Sequence, residues 1–142
     1  MDKTNLDIIE LLSRNSRMPF VEIGKRLNVS ESTIRKRVSA LKNEGTIKKY
    51  SLVVDSGRIG FQNVALIGVD AAADKYLDVA NKIKRMADVR YAASTAGDHM
   101  FMLEVWARDN DELRNISDRL KSIDGVTRIC PAIIKDILKE SL

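Results

Sequence analysis

One cysteine, Cys130, and one histidine, His99, are all that this 142-residue chain holds of the residues that most often bind metals or attack substrates. A single thiol excludes an intrachain disulfide, and a reducing cytoplasm is the natural setting. No metal-ligand cluster, glycine-rich phosphate loop or nucleophile-elbow pattern is present. The expectation is therefore no catalytic residue, no metal and no cofactor. Apolar runs stay short of the ~18 residues that suggest a membrane span. Met1-Asp2-Lys3-Thr4-Asn5 has no apolar core of a leader, so no secretory signal is expected. What is present is ordinary: 44% hydrophobic residues, enough for normal cores, in a length that suits one or two small domains.

Charge is present but unevenly spread. The net +4 divides into eleven Lys/Arg against six Asp/Glu in residues 1–50, and thirteen against fourteen in the remainder. The whole basic excess lies in the first third. A polyanionic partner is the natural reading if that third also carries a binding motif, because phosphate attraction supplies most non-specific nucleic-acid affinity.

Such a motif is there. Leu6, Ile9 and Leu12, with Ile8 and Leu11 beside them, predict a first helix capped near Thr4. Asn15-Ser16-Arg17 ends it. Pro19 fits the first turn of a second helix carrying Phe20, Ile23 and Leu27. Gly24 in its middle suggests a close helix approach. After the turn Asn28-Val29-Ser30, a third helix runs on Ile34, Val38 and Leu41 to Gly45, with Ser30 as cap and Glu31 in its first turn. Ser32, Lys36, Ser39 and Asn43 fall opposite its apolar face. Thr33 and Ala40 flank one side, and Arg35 and Lys42 the other. Arg37 lies nearer the core edge, within reach of a phosphate. Two helices at a tight turn, the second basic and hydroxyl-rich outside, are the sequence form of a helix-turn-helix. The expected partner is double-stranded DNA. The β-branched stretch Thr46–Val54 predicts a strand, with Lys48 and Lys49 on a short wing. Expected DNA contacts are thus Ser30, Ser32, Thr33, Arg35, Lys36, Arg37, Ser39, Lys42, Lys48 and Lys49.

Asp55-Ser56-Gly57-Arg58-Ile59-Gly60 is rich in turn formers. The expected division is 1–54, a hinge at 55–61, and 62–142. Beyond the hinge the period alternates: strand Val64–Val69, helix on Leu77, Ala80, Ile83 and Ala87, strand Val89–Thr95, a turn at Gly97-Asp98-His99, strand Met100–Ala107, helix on Leu113, Ile116 and Leu120, and a last extended segment Val126–Leu138. A faint repeat pairs Leu77, Ala80, Ala87 and Val89 with Leu113, Ile116, Ile123 and Val126. The fold class is α+β: a winged helix-turn-helix followed by a ferredoxin-like βαββαβ sandwich. Pro131 places the last strand at an edge. Phe101, Leu103 and Val105 on one register, with Met100, Met102 and Trp106 on the other, make both sheet faces apolar. Helices cover one face; the other is expected to meet a second subunit.

Leu6-Asp7-Ile8-Ile9, Val21–Leu27, Ser30–Leu41 and Glu44–Tyr50, in this order and followed by a βαββαβ domain, make the chain similar to the Lrp/AsnC (feast/famine) transcriptional regulators. The resemblance covers essentially the whole length. It implies a RAM-type (ACT-like) C-terminal domain, homodimers assembling to tetramers or octamers, pseudo-palindromic operators, and an amino-acid effector. The family's effector region includes a Gly-Asp-x-Asp turn. Gly97, Asp98 and His99 match it, and Met100 stands where the second acid would be. Two rivals share these features: an architectural DNA binder of low specificity, and a catalyst, since siroheme decarboxylases resemble this family in both domains.

Overall fold

Asp2, not Thr4, begins the first helix. In the computed structural model, which describes residues 1–140, the Asp2 carboxylate accepts from the Asn5 N–H at 2.8 Å. The Asp2 carboxylate accepts with charge assistance from a free amide of the first turn, so the helix begins two residues before the threonine. Helix α1 (Lys3–Arg14) buries Ile8 and Leu12 and leaves Leu6 exposed, so the apolar stripe is narrower than the sequence suggests. Pro19 sits one place before the predicted position, as the N-cap of α2 (Phe20–Leu27).

Helix α2 ends on Asn28, whose φ of 54° is left-handed. The chain turns there into α3 (Glu31–Asn43), capped by the Ser30 hydroxyl on the Thr33 N–H at 3.2 Å. Gly24 is required at this corner. A Cβ on it would stand 2.5 Å from the Val29 carbonyl oxygen, which is backbone and cannot swing away. Ile8, Leu12, Met18, Ile23, Ile34, Val38 and Leu41 form the buried core of the three helices, with Ile47 packed on its edge.

No strand forms over Thr46–Val54, contrary to the sequence expectation. The Ile47 N–H closes on the Leu41 carbonyl, and the backbone then runs on without ladder bonds. β-Branched residues favour extended backbone, but a strand exists only when another strand pairs with it. Tyr50, Leu52, Val53 and Val54 consequently stay exposed.

The chain divides into two compact units, Met1–Val53 and Val54–Leu138. The second opens with a single 3-10 turn, Gly57–Ile59. It then builds β1 (Asn63–Ala71), α4 (Tyr76–Lys84), β2 (Val89–Ser94), β3 (Phe101–Ala107), α5 (Asn110–Lys121) and β4 (Val126–Ile133). The sheet order is β2-β3-β1-β4, antiparallel throughout, with Pro131 on the β4 edge. This is the split βαββαβ sandwich. The last strand is shorter than expected, since Ile134 to Leu138 lie outside it.

The face of α4 is the one read in the sequence at Ala80 and Ile83, but not at Leu77. Val79 and Ile83 are buried and Tyr76 packs on the core, whereas Leu77 is 72% exposed. Two overlapping apolar sets share this helix, and periodicity alone does not choose between them. With the observed face the internal repeat becomes regular. Tyr76, Val79, Ile83, Met86 and Val89 match Leu113, Ile116, Leu120, Ile123 and Val126 at one constant interval, and all ten pack in or against the same core.

Candidate nucleic-acid interface

Helix α3 is anchored by Ile34, Val38 and Leu41, which are at most 3% exposed. That fixes its rotation and turns the opposite side outward. Ser30, Ser32, Arg35, Lys36, Ser39 and Lys42 are all exposed, and Thr33 is half-buried. Lys48 and Lys49 are also exposed, on the extended segment after the helix. No ion pair among the described residues involves Lys36, Lys48 or Lys49, so these three cations face solvent unneutralised.

Most of the other expected contacts have internal partners. The Ser30 hydroxyl lies 2.8 Å from that of Thr33 and 3.1 Å from that of Ser32, so its first task is to hold the helix start. Arg35 pairs with Glu31 one turn back. Exposed pairs of that kind contribute about 0.2–1 kcal/mol and exchange readily. Arg37 is held more firmly. Its Nη1 donates to the Asp2 carboxylate at 2.5 Å and to the Asn5 side-chain carbonyl at 2.9 Å, tying α3 to the start of α1. The guanidinium in turn holds the Asp2 carboxyl below its ordinary pKa, helped by the Asn5 N–H. Phe20 and Tyr50, which no charge argument singles out, carry Arg35 and Lys42 on their ring faces at 5.4 and 5.8 Å.

The hairpin turn between β2 and β3 is the second candidate site. Gly97 has φ of 127°, a value open mainly to glycine. The Thr95 N–H closes the turn on the Met100 carbonyl, and the Thr95 hydroxyl donates to the His99 carbonyl. The His99 ring lies flat over Gly68 of β1; a Cβ there would meet the ring at 2.3 Å. Its Nδ1 is 3.1 Å from an Asp70 oxygen and 3.3 Å from Nη2 of Arg128, and it can serve only one of them at a time. Met100 contributes its N–H to Asp70 at 3.1 Å, while its side chain packs on the core.

Asp70 and Arg128 are the residues that sequence reasoning missed. Arg128 donates through Nε to Asp70 at 2.7 Å and through Nη2 to the Asp98 carboxylate and carbonyl. Asp70 thereby orders the turn that Met100 leaves short of an acid. The Arg128 guanidinium, more than burial opposes it, lowers the Asp70 pKa to about 2, with His99 and the Met100 N–H adding to the effect. The available signal was a lone acid ending the apolar run Val64–Val69.

The second sheet face is only partly open. Trp106 is covered by Phe61 at 5.6 Å and by Arg90 at 5.0 Å, and its Nε1 donates to Glu104. Leu66 and Tyr91 remain exposed on it. Among the described residues no group of three or more His, Cys, Asp or Glu is placed to hold a metal. No helix of the described chain is long and apolar enough to cross a membrane.

Residues 1–42 match the model of the AsnC-type helix-turn-helix domain, and residues 64–141 that of the Lrp/AsnC ligand binding domain. The HTH-type transcriptional regulator LrpA of Pyrococcus horikoshii is 42% identical over 140 residues, which cover 98% of this chain and 99% of that protein. LrpA1 of Halobacterium salinarum is 34% identical, over 97% of this chain and 98% of its own. Among solved structures, E. coli AsnC superposes with a TM-score of 0.89 at 24% identity, covering 100% of this chain and 97% of that one. A Neisseria meningitidis transcriptional regulator in complex with L-Met gives 0.89 at 23%, over 99% and 94%.

Proposed function

The chain belongs to the Lrp/AsnC family, and from that membership we propose that it is a sequence-specific, DNA-binding transcriptional regulator rather than an enzyme. The observation that carries this reading is the outer face of α3. It is a core-anchored helix that offers Ser32, Lys36 and Ser39 outward, with Arg35 and Lys42 along one flank. A major groove about 12 Å wide admits such a helix. Hydroxyls and the unpaired Lys36 meet base edges, while Arg35, Lys42, Lys48 and Lys49 hold phosphates. In a homodimer two such helices enter successive major grooves about one turn apart. Residues 55–61 serve as the hinge between reading head and assembly domain.

The test is DNA binding by an Arg35→Ala, Lys36→Ala double variant across a salt series. Affinity falls and the salt dependence flattens if α3 is the reading element. Unchanged affinity would refute that placement. The ratio of specific to non-specific affinity separates a regulator from an architectural binder.

The open sheet face around Leu66 and Tyr91 supports assembly of dimers, and of tetramers or octamers beyond them. The turn Gly97-Asp98-His99-Met100 supports a small-molecule effector such as an amino acid. There the Asp98 carboxylate, 81% exposed, would meet an ammonium in competition with Arg128. An amino-acid panel in a thermal-shift assay tests it; no shift with any member refutes it.

A further inference from the structure

Two cations of α3 are stacked on aromatic rings, and the two stacks bound one groove. Arg35 lies over Phe20, the first residue of α2, and Lys42 over Tyr50, on the extended segment after α3. Seven residues of helix separate the cations, a rise of about 10.5 Å. Ser16 and Ser39 add hydroxyls to the lining, and no carboxylate takes part in it. Glu31 meets Arg35 from the helix start, outside the groove. At that separation on one face of the helix, the two cations can meet different phosphates of one DNA strand.

We infer that this groove carries one strand of the DNA backbone, with Tyr50 and Phe20 as positioning residues for Lys42 and Arg35. The inference rests on the reading of α3 as the recognition helix. Long cationic side chains lose rotamer freedom when they meet a phosphate. Stacking on a ring removes part of that freedom beforehand and keeps the charge at the lip of the groove. The flat ring walls suit the apolar edges of deoxyribose. Tyr50 thus acts on DNA without supplying a charge, which explains why charge counting passes over it.

Backbone contacts are indifferent to sequence, so the probe is a short duplex of mixed sequence, titrated with the full chain over a salt series. Lys42→Ala is expected to weaken binding and reduce the salt slope by about 0.9. Tyr50→Ala should weaken binding roughly two- to fivefold, the range of an exposed cation–π contact. Tyr50→Phe keeps full affinity, because the ring face and not the hydroxyl holds the cation. The Tyr50→Ala, Lys42→Ala pair should bind no more weakly than Lys42→Ala alone. Wild-type affinity in Tyr50→Ala, full multiplication of the two losses, or a Tyr50→Phe variant as weak as Tyr50→Ala would each overturn the proposal. Lys36→Ala separates the two levels. If it alone loses affinity, the groove is refuted and α3 keeps its role. If every variant binds as wild type, the reading of α3 falls too.

Discussion

Arg37 and Lys36 are neighbours in sequence with opposite fates. Lys36 points to solvent with no ion pair, whereas Arg37 is tied to Asp2 and Asn5. Arg37→Ala is therefore expected to lower the urea midpoint of the helical unit and leave the salt slope of DNA binding nearly unchanged. Lys36→Ala should leave that midpoint unchanged and weaken binding to the specific site. Measuring both quantities on both variants checks the assignment. Asp70 gives a second residue-scale prediction. Its folded pKa of about 2 lies below the ordinary 3.8, so its contribution to stability is complete above pH 3.8 and is lost as pH falls toward 2. Trp106, the only tryptophan, lies in the same sheet and reports unfolding of that unit. Urea midpoints read by its fluorescence should fall over this window, and Asp70→Asn should flatten the fall.

At the scale of elements, the cap of α3 is where the sequence expected it, while that of α1 moved from Thr4 to Asp2. Ser30 accepts from the amide three residues on, as its position before a periodic segment leads one to expect, and Asp109 does the same at the start of α5. Ser30→Ala should cost about 1 kcal/mol of stability in the helical unit. Ser30→Asp keeps the cap and brings a negative charge to the DNA-facing end. It should unfold at the wild-type urea midpoint and bind DNA more weakly. A Ser30→Asp variant with both stability and affinity intact would remove Ser30 from the interface. The failures at this scale have physical causes as well. The Thr46–Val54 stretch has strand composition and no strand partner. Helix α4 offered two apolar stripes sharing Ile83, and the core took the one with Val79 and left Leu77 outside.

For the whole molecule, the sheet face left open by the helices is the proposed meeting place of copies. One face is closed by α4 and α5, and the other leaves Leu66 41% and Tyr91 62% exposed while Phe61 and Arg90 cover Trp106. An apolar face of this kind is seldom left bare. The full chain should sediment as a dimer or larger at micromolar concentration, and Leu66→Glu should shift it toward smaller species. A wild-type monomer would contradict association through this face.

The sequence by itself determined the helix-turn-helix, the order of strands and helices after it, the edge position of Pro131 and the outward face of α3. These depend on period, caps and turn formers, which act over a few residues and are written locally. The need for Gly24 could be suspected from its place in a helix, but its cause, the Val29 carbonyl, required the corner to be built. Only the tertiary structure decided that Asp70, His99 and Arg128 meet, because β1, the hairpin turn and β4 bring together residues far apart in the chain. The same holds for Arg37 with Asp2, and for the rings of Phe20 and Tyr50 beneath their cations. A charge is legible in a sequence; whether another side chain has already claimed it is settled by packing.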